Sequence, residues 1–336
     1  MSTVKEFLST LEDLDAKKVD VLVDPKEDFR FKDGQLLLAK DAFSKFNMSK
    51  LADNQLATRL DIPTKYFNHL RNIGELDLLD ENVNTMKNRI DKKLFIRTYQ
   101  NGHKDARAIL SDRYRTIDNK DVYLCCLDEL SSRNVDVANL NLDDNFMTVQ
   151  FKSEDLVRQV RPGDDVVAGI SIRNLEVGMG SVQVVPRIFR LVCSNGWIVE
   201  QFQTRKVHLG AGDGGEFESS MVYNDIRSSI RNIFDSFGAI VARIKDSTDH
   251  QFDISKIRTV IKNIVNEYQM TEDQKDRLLI HWGAEPEASL YGVSNAITRM
   301  AQDEPDFQNK YRLEQIGGRF ISEEPKKLFQ KFVIAA

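Results

Sequence analysis

Three cysteines in 336 residues, Cys125, Cys126 and Cys193, are too few for a disulfide framework. Adjacent cysteines rarely bridge each other and no Cys-x-x-Cys pair occurs, so the set fits buried thiols in a reducing compartment. No apolar run approaches the ~18 residues of a membrane span. The opening residues, Met1 to Glu6, lack the basic-then-apolar pattern of a secretory signal. The expectation is a soluble, cytoplasmic chain with no membrane partner. Prolines number 7 and glycines 17, and there is neither low-complexity sequence nor a repeat of fixed period. With 41% hydrophobic and 29% charged residues, the composition is globular.

Catalytic signatures are also missing. No Gly-x-x-x-x-Gly-Lys-Ser/Thr loop occurs, which removes P-loop chemistry. Gly210-Ala211-Gly212-Asp213-Gly214-Gly215 matches Gly-x-Gly-x-x-Gly in form. A dinucleotide site needs a βαβ unit around it, and here only helix follows, so the stretch reads as a loop. His69, His103, His208, His250 and His281 are never spaced as zinc ligands. Ser111 and Ser194 lack a nucleophile elbow, and Cys193 has no evident base. Asp143-Asp144 and Asp164-Asp165 read as turn residues, where Asp bonds its own backbone. A non-enzyme without cofactor or metal is expected, and a metal-dependent nuclease is the least favoured reading.

The net charge is −5 and unevenly spread. Residues 1–88 carry 13 basic and 16 acidic groups, residues 89–210 carry 18 and 16, and residues 211–336 carry 16 and 20. Within 158–210 there are seven basic groups, six of them arginine, against four acidic. An excess of this size points only weakly to a polyanion partner, and a solvated surface gives the same count more often.

Periodicity divides the chain into a mostly helical region (1–90), an α+β sheet region (91–208), a Gly-rich loop (209–218) and a helical region (219–336). In the first, Phe29-Arg30-Phe31-Lys32-Asp33-Gly34-Gln35-Leu36-Leu37-Leu38 reads as a hairpin about an Asp-Gly turn. A helix is expected from Ser49 to Leu60 and another after Pro63. The pair loosely resembles a helix-turn-helix that would present Thr64, Lys65, Asn68 and Arg71; the alternative is a helical hairpin packing Tyr66 and Phe67. From 93 the period becomes two. Strands are expected at 93–99, 106–110, 135–142, 146–152, 166–174, 181–193 and 197–199, with a helix at 119–131 capped by Asp118 or Asn119. One long helix (219–245) and four more (253–268, 271–280, 288–302, 307–321) complete an α+β fold with a central, mostly antiparallel sheet.

One polar constellation stands out. Ser111-Asp112-Arg113-Tyr114-Arg115 sets two arginines about a tyrosine, and Arg173, Arg187 and Arg190 lie on later strands. Cations that track phosphates beside rings that stack on bases make a single-strand binder. Internal pairing of the arginines with Asp112, Asp118 and Glu176 is the competing account.

The stretches Leu110 to Arg115, Asn174 to Gly178, Val192 to Gly196, Leu290 to Arg299 and Leu313 to Phe320 resemble an uncharacterised family of phage and plasmid-like proteins, a domain of unknown function. The likeness spans about 50–322, and Leu175 stands where that family often has a small polar residue. It implies a mobile-element origin and a bacterial host cytoplasm, and it brings no assigned reaction. Together these readings predict a homo-oligomeric protein that binds nucleic acid, single-stranded DNA in particular, in replication or recombination, with strand-annealing character by analogy of architecture. Arg113, Arg115, Arg173, Arg187 and Arg190 would hold phosphates, and Tyr114 would stack. The alternative is an interaction factor that recognises a host protein, as anti-defence proteins do.

Overall fold

The computed structural model describes residues 2–39, 44–100, 104–192, 195–200, 204–206 and 216–334. Cys193 and most of the Gly-rich loop lie outside them. The class is α+β, built on two sheets rather than one.

The first sheet runs in the order β1 (Lys18–Val23), β5 (Leu94–Gln100), β6 (Lys104–Ser111), β4 (Ser44–Met48), β3 (Gln35–Leu38), β2 (Phe29–Lys32). Only the β4–β6 pairing is parallel. The β2–β3 hairpin turns through Asp33 and Gly34, both at positive φ, as a two-residue turn matched to strand twist requires. Helices α2 (Lys50–Arg59), α3 (Thr64–Ile73) and α4 (Leu76–Met86) cover one face. Phe29, Phe31, Leu36, Leu56, Phe67 and Ile96 are buried between them. Ser49 caps α2, its side chain accepting from the Ala52 amide, which satisfies one orphan donor of the first turn. The division expected at residue 90 thus falls inside a sheet: β5 and β6 pair with β1 and β4, not with the later strands. β1 and β4 were not foreseen.

The second sheet runs β11 (Gly196–Ile198), β10 (Val182–Arg190), β9 (Asp164–Asn174), β8 (Met147–Arg161), β7 (Val135–Leu142), with β12 (Thr204–Lys206) also on β10. The central strand β9 is buried almost throughout, as its Val166-Val167-Ala168-Gly169-Ile170 run demands. On one side its core joins α1 (Ser2–Asp15), α5 (Asn119–Leu130), α6 (Glu216–Asp235) and α7 (Phe237–Asp249). The long helix expected over 219–245 is divided at Ser236, whose hydroxyl turns back onto the Ile233 carbonyl, the local competition by which serine bends a helix.

The helices that follow are α8 (Ile257–Glu267), α9 (Glu272–Ala284), α10 (Leu290–Met300), α11 (Phe307–Ser322) and α12 (Pro325–Phe329). α8 to α12 share a core of their own around Ile261, Ile264, Ile297 and Phe320. They also close the sheet's other side, with Val185 and Ile198 buried against Tyr311. Trp197 of β11 is fully buried and donates to Ser294 Oγ of α10 (2.7 Å). Ser294 in turn donates to the Gly317 carbonyl of α11 (2.7 Å), while Asn195 reaches Thr298 (2.6 Å). The last third therefore completes the sheet's core.

Candidate functional site

The six residues expected to meet nucleic acid are not brought to one surface. Tyr114 is buried, stacked on Phe95 with ring centroids 6.0 Å apart, and its hydroxyl donates to the Glu176 carbonyl (2.7 Å). Burial raises its pKa above the ordinary phenol value, and its ring is not presented to a base. Arg173 is half-buried between the Phe146 and Tyr311 rings, 4.5 and 5.1 Å from their centroids, and bonds Gln308. Burial lowers its pKa.

Arg187 is buried on β10 and donates to both carboxylate oxygens of Glu314 on α11. Arg190 is buried too. It forks onto Asp164 (2.7 and 2.9 Å) and onto Glu285 (2.7 and 3.0 Å). Tyr291 adds a hydrogen bond to Asp164 (2.7 Å). Asp164 opens a strand rather than sitting in the turn expected for it. The planar guanidinium suits such two-point pairing. These arginines tie the C-terminal helices to the sheet, and in this conformation Tyr114, Arg187 and Arg190 offer nothing to a passing strand.

Between the two sheets lies a second polar cluster that sequence reasoning only half found. Glu176, in the β9–β10 connection, accepts from Arg107 Nη2 (2.6 Å), Lys18 Nζ (3.0 Å) and the Asn119 amide (3.0 Å). Arg97 of β5 is fully buried. It donates to Asp118 (2.6 Å), to Asp20 (3.1 and 3.2 Å) and to the Glu176 carbonyl (2.8 Å). Burial alone would push the Glu176 carboxyl up, but Lys18, Arg107 and Arg97 together hold it below its ordinary value. Burial acts on Asp118 likewise, and Arg97 and Lys18 bring it down to about 2. Asp118 and Glu176 do pair with cations, as the competing account held, but with Lys18, Arg97 and Arg107. The signal available was an arginine in mid-strand: Leu94, Ile96 and Thr98 around Arg97 are all buried.

What remains at the surface is narrower. Arg113 is exposed at the turn after β6, and Arg115 is half-buried with bonding of its own. Leu94 pairs with Ser111, so the approach to β5 and the exit from β6 share one end of the hairpin. Arg89, Lys92 and Lys93, all exposed, stand on that approach, with Asp91 held by Lys26 (2.8 Å) and Asp112 exposed alongside. In the helical hairpin, Phe67 is buried and Tyr66 partly exposed. Arg71 pairs with buried Asp53 (2.6 Å) and Asn68 with Asn54 (2.8 Å). Two of the four side chains that a groove-reading helix would use are thereby spent on α2.

Among the described residues no group of three His, Cys, Asp or Glu is placed to hold a metal ion, and no helix is long and apolar enough to cross a membrane. No protein-family model, curated protein or solved structure matches the chain.

Proposed function

We propose that the chain is a non-enzymatic nucleic-acid-binding protein, taking single-stranded DNA in the replication or recombination of a phage or plasmid and acting as a homo-oligomer. One observation carries this reading: the exposed cations Arg89, Lys92, Lys93 and Arg113 collect at one end of the β5–β6 hairpin. Beside them along the chain stand Asp91, already paired, and Asp112, and Asp24 follows β1 opposite Lys93. The mildly basic centre of the chain supports the same reading. Arg173, Arg187 and Arg190 have no part in it, because burial and internal bonding occupy them.

Phosphate contacts release counterions. Four such contacts give a slope of log affinity on log salt of about −3 for a single strand. Fluorescence anisotropy with labelled single-stranded and duplex DNA at low and high salt tests this. Salt-sensitive binding that favours the single strand is expected, and absence of binding at low salt overturns the reading.

A second reading, a factor that binds a host protein, has one observation in its favour. Leu191 and Val192, adjacent in the β10–β11 turn, are exposed to 46% and 59%. On that reading nucleic acid does not bind, and a host protein co-purifies unless both are changed to serine.

A further inference from the structure

At the opposite end of β6 from Arg113, a cavity of about 470 Å³ opens between the start of α2, the β5–β6 hairpin and the two loops at 143–146 and 175–181. That volume lies within the ~300–1,000 Å³ of small-molecule sites.

Its polar lining has three parts. The first is the start of α2, a ten-residue helix whose Ser49 cap serves the Ala52 and Asp53 amides. The Lys50 and Leu51 amides have no helical acceptor and carry the positive end of the dipole, which is a seat for an anion. Exposed Lys50 adds a full charge. The second part is Arg107, only 8% exposed. Its guanidinium lies 3.9 Å from the Tyr99 ring centroid, and Nη2 is bound to Glu176. Nη1 is buried with no hydrogen-bond partner. A buried donor left unmet is costly, and an oxygen from a ligand would satisfy it.

The third part is acidic. Asp105, which accepts from Asn47 (3.2 Å), and Asp144 also line the cavity. Carboxylates repel a bare phosphate but accept hydroxyl groups. Met48, Leu51 and Met179 supply apolar surface, Met179 being 54% exposed.

We propose that this cavity binds a nucleotide through its phosphate monoester. The phosphate sits on the α2 amides between Lys50 and Arg107, the sugar hydroxyls bond Asp105 and Asp144, and the base lies on Leu51 and Met179. The site stands independently of the cations around Arg113. The monoester comes from a free nucleotide or from the phosphorylated end of a strand.

Calorimetric titration of the full chain with AMP, adenosine and inorganic phosphate tests the site, using the wild type, Lys50→Glu and Arg107→Lys. Circular dichroism confirms the fold of each variant. AMP is expected to bind one per chain, with adenosine and phosphate each weaker by about tenfold or more, the loss that goes with one charge-assisted hydrogen bond. Lys50→Glu should weaken AMP by a similar factor while leaving salt-sensitive DNA binding unchanged, which separates this site from the Arg113 surface. Competition by a 5′-phosphorylated oligonucleotide, but not by its unphosphorylated form, identifies a strand end as the source; failure of both to compete identifies the free nucleotide. No heat with AMP at millimolar concentration, equal binding of adenosine, or unaltered affinity in folded Lys50→Glu overturns the proposal.

Discussion

Arg187 on β10 and Glu314 on α11 form a two-point ion pair sealed between sheet and helix, its Nη2–Oε1 distance 2.6 Å and both side chains buried. Taking two such charges out of water is expensive, and only their mutual geometry offsets it. Removing one partner strands the other. Glu314→Ala should therefore lower unfolding stability in urea by about 3–5 kcal/mol. The double change Arg187→Met with Glu314→Leu should recover most of that loss. Recovery of less than half would mean that the pair adds stability beyond neutralising its own charges.

The cluster between the sheets should make the protein acid-labile. Asp118 has its folded pKa depressed to about 2 from 3.8. Its contribution is thus complete above the unfolded value and is lost as pH falls toward 2. A shift of this size corresponds to about 2–3 kcal/mol. Urea midpoints measured between pH 5 and 2.5 should fall less steeply in Asp118→Asn than in the wild type. Parallel curves would show that the carboxylate is not linked to folding.

Asp53 works in the opposite sense. Burial raises its pKa to about 6 despite the Arg71 partner. The folded state therefore holds the proton more tightly, and this group's contribution declines as pH climbs from about 4 to 6. The decline amounts to about 3 kcal/mol on this shift. Asp53→Asn should be most stabilising, relative to wild type, above pH 6. A wild-type and variant difference independent of pH would contradict this.

Helix α11 touches the backbone of β11 at Gly318, where an added Cβ would lie 1.9 Å from the Ile198 carbonyl oxygen. Gly318→Ala must push helix from strand and should cost about 3 kcal/mol or more. Gly238 in α7 faces open space, so Gly238→Ala should stabilise by about 0.5–1 kcal/mol. Melting temperatures of the two variants should move in opposite directions.

Several stretches singled out in the sequence are junctions of the fold. Tyr114 and Glu176 meet between the sheets. Asn195 meets Thr298, and the Gly317 carbonyl accepts from Ser294, where α10 and α11 join β11. The period-two segments announced β5 to β11 in order, because an alternating or continuous apolar run leaves a strand few choices, but β8 runs on to Arg161, well past the end expected at 152. β1 and β4 escaped notice, since Lys18-Val19-Asp20-Val21 and Ser44-Lys45-Phe46 are short and gain their burial only from neighbours distant in sequence. The arginines misled for a related reason. Arg187 and its partner Glu314 are 127 residues apart, so the ion pair has no local trace, and a guanidinium bound for a carboxylate reads the same as one bound for a phosphate.

The surface around Arg113 is the centre of the functional account, and charge reversal tests it most directly. Single-strand affinity is measured by anisotropy over a salt series for the wild type and for Arg113→Glu with Lys93→Glu, with the fold checked by circular dichroism. The expected result is a folded variant whose low-salt affinity drops more than about tenfold and whose salt slope is shallower by about 0.7 for each phosphate no longer held. A folded variant with unchanged affinity and slope would contradict it.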